Sequence, residues 1–264
     1  MTPRKLTNAD IPMIRAYIKK EREMNLFIEG DIEQYGLEGH IVEMFAFSDP
    51  WDCILLRYFQ NYVVYSDHTD YKAEDLASYL KGQTVMVISG KEPLLERLAP
   101  YYPKANILGT YLCRCENDAL LSEIPLENEI KRLSATDAIP VAKLYQKIQE
   151  FAKPFIEHEE DKILELQESL GSKALGFGLY DQEKLISVAY TTAKTQSGAM
   201  VVGVATLPEY RKKGLATQMV QKLCKESFSS GLSFLCLFYD NPIAGQIYRK
   251  IGFKEIGRWG MIKF

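Results

Sequence analysis

The sequence predicts a mixed α/β protein built as two α/β domains, and three observations predict it. The 264 residues exceed the roughly 100–200 usual for one domain. Segments with helical and strand-like spacing of apolar residues alternate along the whole chain. Two segments also begin alike: Lys5-Leu6-Thr7 then Asp10-Ile11-Pro12, and Arg132-Leu133-Ser134 then Ala138-Ile139-Pro140, each a short strand running into a helix start. This likeness hints at duplication. The stretch Leu120 to Glu129, with Ser122, Pro125 and several acids, separates the two beginnings. It sets the expected boundary, giving one domain at 1–125 and another at 126–264.

In the first domain, a helix is expected from Ile11 to Asn25, followed by antiparallel strands at Ile41–Phe47, Cys53–Tyr58 and Tyr62–Tyr65. Helix Ala73–Leu80, strand Thr84–Ser89, helix Glu92–Leu98 and an extended run Asn106–Cys115 complete it. The second domain reads as strand Ile130–Leu133, helices Ile139–Phe151 and Ile156–Leu170, and strands Leu175–Tyr180, Leu185–Thr192 and Ala199–Thr206. From Gly214 to about Phe228, Leu215, Met219 and Leu223 recur at spacings of four beside Ala216, Val220 and Cys224, which marks a helix with a wide apolar face. Leu232–Tyr239 is apolar but for Ser233, as suits a strand covered on both faces. Helix Pro242–Ile251 and two final strands, Phe253–Ile256 and Met261–Phe264, end the chain.

Composition narrows the function classes. Hydrophobic residues make up 47% and charged residues 25%, which is a globular balance, and the net charge of −3 provides no basic field for nucleic acid or an anionic membrane. Any anion site must be local. No apolar run approaches the ~18–20 residues of a membrane span, and Met1 to Ile11 carries charges and a proline, so a cytoplasmic protein is expected. Five cysteines, an odd number, fit reduced thiols. Cys113 and Cys115 form a C-x-C with no second pair or histidine nearby, so no metal is expected.

Two constellations carry chemistry. Arg211-Lys212-Lys213-Gly214-Leu215-Ala216 connects a strand to a helix. Such a turn presents unpaired N–H groups and the positive end of the helix dipole, which is what a diphosphate needs. Gly214 admits a close backbone, Ala216 keeps the first turn slim, and the three cations supply local charge. The second is Asn241, Ala244, Tyr248 and Gly252-Phe253, beginning where strand Leu232–Tyr239 ends. Positions 241, 244 and 248 share one helix face, with Pro242 suited to the first turn and Gly252 to the C-terminal cap.

Together the two motifs resemble the GNAT superfamily of acetyl-CoA-dependent N-acyltransferases over Ile130 to Phe264, most strongly from Val201 to Phe253. The resemblance implies a central, mostly antiparallel sheet flanked by helices, with acetyl-CoA as co-substrate. It implies that Arg211, Lys212, Lys213, Gly214, Leu215, Ala216 and Thr217 hold the pyrophosphate, and that Val204 and Thr206 pair through their backbones with the pantetheine arm beside a strand bulge. Asn241 would hydrogen-bond the pantetheine, the backbone N–H near Val204 would donate to the oxyanion, and Tyr248 would protonate the departing sulfur. Many relatives carry a glutamate where this chain has Met200, so the general base is unassigned. His158, within Glu157 to Asp161, is either a base tuned by those acids or part of a solvated face.

No R-x-x-G-x-A string precedes residue 126, and Ser89-Gly90-Lys91 is too short for a phosphate loop, so the first domain resembles a GNAT-like half that has lost cofactor binding. Its aromatics Trp51, Tyr58, Phe59, Tyr62, Tyr101 and Tyr102 either wall an acceptor cleft or pack a core. The expected activity is direct transfer of an acetyl or short acyl group to a primary amine of a small molecule or peptide, by a monomer or homodimer. The alternative is a non-catalytic acyl-CoA sensor.

Overall fold

The computed structural model describes residues 2–116, 130–171 and 174–264; the expected boundary stretch Leu120 to Glu129 lies outside the described residues. The elements before it are β1 (Arg4–Lys5), α1 (Ile11–Ile18), α2 (Leu26–Tyr35), β2 (Val42–Phe47), β3 (Cys53–Tyr58), β4 (Asn61–Tyr65), α3 (Ala73–Leu80), β5 (Val87–Lys91), α4 (Glu92–Leu98) and β6 (Ile107–Cys115). After it come β7 (Ile130–Arg132), α5 (Ala138–Tyr145), α6 (Gln149–Glu157), α7 (Glu159–Gly171), β8 (Gly176–Asp181), β9 (Lys184–Thr192), β10 (Gly198–Thr206), α8 (Leu215–Ser229), β11 (Phe234–Tyr239), α9 (Pro242–Ile251) and β12 (Lys254–Lys263).

The chain forms two compact units. The first comprises Met1–Leu112, Phe238–Asp240 and Glu255–Phe264; the second comprises Cys113–Leu237 and Asn241–Lys254. In the first, the strand order is β1-β2-β3-β4-β5-β12-β6, with β1 to β4 antiparallel, β4 and β5 parallel, and β12 antiparallel to β5. In the second it is β7-β8-β9-β10-β11, with β7 to β10 antiparallel and β10 parallel to β11. Each unit thus has an antiparallel run that ends in one parallel pair joined through a helix, α3 or α8, as a parallel connection requires. The first unit also takes β12 from the second half of the sequence.

In the first unit, alternation along β3 sends Ile54 and Leu56 to one face and Cys53 and Leu55 to the other, and all four are fully buried. Ile54 and Leu56 pack with Ile14, Ile18, Ile28 and Ile32 of α1 and α2, while Leu55 packs with Leu76, Leu80, Leu94 and Leu98 of α3 and α4. In the second unit, the predicted stripe of α8 is buried at Leu215, Met219, Val220, Leu223 and Cys224.

Both repeated beginnings fold identically. Asp10 accepts from the Thr7 N–H at 2.9 Å and Asp137 from the Ser134 N–H at 2.8 Å, each closing a 3₁₀ turn ahead of its helix. The structural correspondence therefore aligns Asp10 with Asp137, one residue away from the register that matches the two prolines.

Several expectations change. The helix expected over Ile11–Asn25 stops at Ile18, because the buried Asn25 amide donates to the Glu21 carbonyl at 2.9 Å and the chain turns into α2. The helix expected over Ile139–Phe151 breaks at Ile148, which is extended at φ −117°. The two final strands are one, β12, paired with β5 from Trp259↔Lys91 to Lys263↔Val87. Its glycines serve close packing rather than a turn: a Cβ at Gly257 would lie 2.3 Å from Met24 Cε, and one at Gly260 would lie 3.0 Å from Leu95 Cδ1.

Candidate functional site

Every residue assigned to the site from the sequence lies in the second unit. β10 pairs with β11 from Gly198↔Phe234 to Val201↔Leu237, then continues to Thr206 paired with β9. Along β9 its register slips between Val202 and Ala205, so Gly203 and Val204 together oppose one residue. Gly203 sits at φ +63°, and a Cβ there would lie 2.2 Å from Tyr145 Oη and 2.3 Å from Tyr190 Cε1. Only glycine fits that position. Sequence reasoning placed a bulge near Val204 by resemblance and missed Gly203 itself. The available signal was an isolated glycine inside the β-branched run Val201 to Val204.

Beyond Thr206, a 3₁₀ turn at Pro208–Tyr210 leads into the cationic loop. Lys212 at φ +64° and Gly214 at φ +74° alternate in handedness with the residues around them, an arrangement that turns successive N–H groups toward one point. A Cβ at Gly214 would meet nothing within 4 Å, so this glycine is needed for its backbone angle and not for space. α8 begins with no side-chain cap and no acid in its first turn, leaving the N–H groups of Leu215, Ala216 and Thr217 without helical partners. The loop is braced from below. The Tyr210 hydroxyl donates to Asp181 at 2.6 Å, Lys184 pairs with Glu209 at 2.7 Å, and the Lys184 and Lys213 ammonium groups each lie 5.3 Å from the Tyr210 ring centre. The hydrogen bond to Lys184 holds the Glu209 carboxyl below its ordinary pKa.

Arg211 is placed differently from its two neighbours. Its Nε donates to the Thr206 carbonyl at 3.1 Å and its Nη2 lies 3.6 Å from Glu150, so it closes the end of β10, while Lys212 and Lys213 stand exposed. Thr206 is engaged on both sides: its hydroxyl is 2.8 Å from Ser187 Oγ and its carbonyl is held by Arg211. Val204 is half-buried.

The Asn241 side chain caps α9, accepting from the Ile243 N–H at 2.9 Å, and Gly252 at φ +115° ends the helix. Tyr248 is buried, 8% exposed, with its ring 6.1 Å from Phe253. Burial first, and then the Cys113 thiol nearby, push the Tyr248 hydroxyl up to about 12. Met200 is buried and paired with Thr192 and Cys236, so this stretch of β10 offers no carboxylate. His158 lies at the junction of α6 and α7 rather than within one helix, and is exposed. All five cysteines are buried and none is in a disulfide, and no group of three metal-ligating side chains occurs among the described residues. No helix among the described residues is long and apolar enough to cross a membrane. Of the aromatics singled out in the first half, Tyr62 is a core residue, Trp51 meets Tyr17 edge to face, and Phe59 is 57% exposed.

The fold is that of the GNAT acyltransferases. The family model for GNAT acetyltransferases matches residues 33–262, and the chain belongs to that family. Solved structures share the architecture over essentially the full length. A Drosophila protein solved as a structural-genomics target matches with a TM-score of 0.75 at 13% identity, covering 99% of this chain and 98% of that one. A GCN5-related N-acetyltransferase-like protein from Streptococcus suis matches with a TM-score of 0.61 at 13% identity, covering 98% and 99%. A tandem GNAT protein from the clavulanic acid biosynthesis pathway matches with a TM-score of 0.61 at 11% identity, covering 100% and 98%. At these identities the likeness is one of fold. No curated protein matches the chain.

Proposed function

We propose that this protein transfers an acetyl or short acyl group from acetyl-CoA to a primary amine of a small molecule or peptide. One observation carries the reading: the bulged end of β10 leads into a cationic loop of alternating handedness at an uncapped, acid-free start of α8. The residues present fit a CoA diphosphate. Partnerless N–H groups of Leu215, Ala216 and Thr217 receive its oxygens, with Lys212 and Lys213 beside them. The Asn241 amide nitrogen, left over after capping, faces the pantetheine arm.

Acetyl-CoA supplies an activated thioester; the chain orients it and moves protons around it. The Val204 N–H donates to the carbonyl oxygen as negative charge develops there. Tyr248, kept neutral by burial at any working pH, donates to the sulfur as it leaves. With Met200 at the position of the relatives' glutamate, the amine's proton leaves by another route, through water or through an acid of the helices α5 to α7.

A second reading, a non-catalytic acyl-CoA sensor, is favoured by that same Met200. Calorimetric titration with acetyl-CoA followed by thiol release across a panel of amines separates the two. The enzyme reading expects one bound acetyl-CoA and thiol release that depends on an amine. Tight binding with no amine-dependent release establishes the sensor, and absence of binding sinks both.

A further inference from the structure

The side chain that holds the bulge in shape lies on neither motif. Tyr145, at the end of α5, directs its hydroxyl at the Gly203 carbonyl and donates to it at 2.8 Å. Its ring is buried, stacked on Phe151 at 4.7 Å and tilted against Phe155 at 4.8 Å, so the hydroxyl is held in place by packing. A second tyrosine, Tyr190 of β9, is its polar neighbour, and both side chains lie against Gly203: an added Cβ would be 2.2 Å from Tyr145 Oη and 2.3 Å from Tyr190 Cε1. Tyr145 has one proton, and it gives that proton to the Gly203 carbonyl. Burial, and then Tyr190, raise the Tyr145 hydroxyl well above the ordinary tyrosine range, and it stays a donor throughout.

What the hydroxyl holds is one peptide group in the part of β10 where the register with β9 slips. The Gly203–Val204 bond is trans, since Asp49–Pro50 is the cis bond recorded among the described residues. In a planar trans peptide the C=O and N–H point in opposite directions. Fixing the Gly203 oxygen on Tyr145 therefore turns the Val204 N–H away from α5 and fixes its direction as well. At φ +63°, Gly203 has the widest conformational freedom on the strand, so without this bond the peptide loses its local anchor.

We infer that Tyr145 is a positioning residue for acyl transfer: by pinning the Gly203 carbonyl it aims the Val204 N–H at the thioester oxygen, with Tyr190 as the polar neighbour that packs against the same glycine. The inference rests on the acetyl-CoA reading given above. It predicts a loss in the chemical step with little change in donor binding, because the diphosphate loop is left untouched.

The test combines the infrared carbonyl stretch of bound [1-13C]acetyl-CoA with steady-state kinetics for the wild type, Tyr145→Phe and Tyr190→Phe. Wild-type protein should lower the stretch relative to free acetyl-CoA, as a hydrogen bond to the oxygen requires. In Tyr145→Phe, which keeps the ring packing, that shift should fall by about half or more, and kcat should drop about tenfold or more with KM for acetyl-CoA within about twofold. Tyr190→Phe should move both in the same direction by less. Wild-type shifts and wild-type kcat in Tyr145→Phe overturn the inference. Should that variant fail to fold, an unchanged band and kcat in Tyr190→Phe overturn it equally. A wild-type protein that binds no acetyl-CoA is visible before any variant is made, and removes the donor reading together with the inference.

Discussion

The β4–α3 connection of the first unit and the β10–α8 connection of the second occupy the same topological place and have opposite chemistry. Both follow an antiparallel hairpin, and both strands pair in parallel with the next, over Asn61↔Val87 to Val64↔Gly90 and over Gly198↔Phe234 to Val201↔Leu237. β4 keeps unbroken register with β3 and ends one residue after its parallel pairing, at Tyr65. β10 runs on through its bulge. The first connection then carries Asp67 and Asp70, with His68 2.9 Å from Asp70 and 3.5 Å from Asp52, and α3 opens on Ala73-Glu74-Asp75. The second carries Arg211, Lys212 and Lys213, and α8 opens on Leu215-Ala216-Thr217. At the second and third helical positions, Glu74 and Asp75 of the first unit stand where Ala216 and Thr217 stand in the second. One helix start is neutralised by its own carboxylates and the other has none in its first turn. The fold provides the place in both units, and a handful of side chains decides whether a ligand can use it.

The most damaging way to break the comparison is to make β10 as regular as β4. Gly203→Ala places a Cβ within 2.2 Å of Tyr145 Oη and 2.3 Å of Tyr190 Cε1, at a φ of +63° that an alanine resists. The strain of such a residue costs about 1–3 kcal/mol, and relieving it means reshaping the bulge. Turnover should fall on the order of 100-fold, as expected when an oxyanion donor is misplaced, and the melting temperature should drop by several degrees. Amine-dependent thiol release and a thermal melt measure the two effects; wild-type turnover would separate the bulge from the chemistry.

Next in size is a transplant. Ala216→Glu with Thr217→Asp gives α8 the first turn of α3. Two carboxylates at a helix start stabilise the ligand-free protein by about 0.3–1 kcal/mol each and repel a diphosphate placed there. Acetyl-CoA affinity should weaken about 10- to 100-fold, or roughly 1.4–2.7 kcal/mol, while the ligand-free melting temperature holds or rises. Calorimetry and a ligand-free melt check both. Unchanged affinity would mean that the anion is bound elsewhere.

Tyr248→Phe tests the second motif with a smaller effect, about tenfold in kcat with acetyl-CoA affinity within about twofold. The pH behaviour follows from burial. The Tyr248 hydroxyl is raised to about 12 in the folded chain, against about 10 for an unperturbed tyrosine, so folding favours the neutral form. That stabilisation is complete below pH 10 and is lost as pH rises from 10 toward 12. Urea melts between pH 9 and 11.5 should show stability falling in the wild type and falling less steeply in Tyr248→Phe. The pH profile of kcat should show no alkaline loss from this tyrosine below about pH 10.

These contrasts were unequally legible in the sequence. The strand–loop–helix at Thr206 to Leu215 was readable because glycine, cations and apolar periodicity fall within one short stretch, and α9 because Pro242 and Gly252 mark both its ends. The grip on Gly203 was not, since Tyr145 and Tyr190 are far from it in sequence and each alone looks like a core aromatic. The fate of β12 was also hidden. Read from the sequence, one strand ends at Ile256 and the next begins at Met261, and the close approach of Gly257 to Met24 and of Gly260 to Leu95 exists only once distant segments are packed.

The smallest expected effect tests what the two units share. Asp10 and Asp137 close the same 3₁₀ turn by accepting the backbone N–H and the hydroxyl of Thr7 and of Ser134, and each also meets one other residue, Arg4 at 3.0 Å and the Tyr180 hydroxyl at 2.8 Å. Removing a helix-start acceptor costs about 0.5–2 kcal/mol, so Asp10→Ala and Asp137→Ala should each lower stability by that order and leave acetyl-CoA affinity unchanged. The backbone hydrogen bond from Thr7, ahead of Arg4, holds the Asp10 carboxyl below its ordinary pKa. Its stabilisation is therefore present above about pH 4 and is lost as pH falls through the lowered folded value. Denaturant melts at pH 7 and pH 3 should show the Asp10→Ala deficit shrinking on acidification. Equal deficits at pH 7 would mark the turn as a structural element retained in both halves, whereas a deficit confined to one unit would make the repeated beginning a coincidence of sequence.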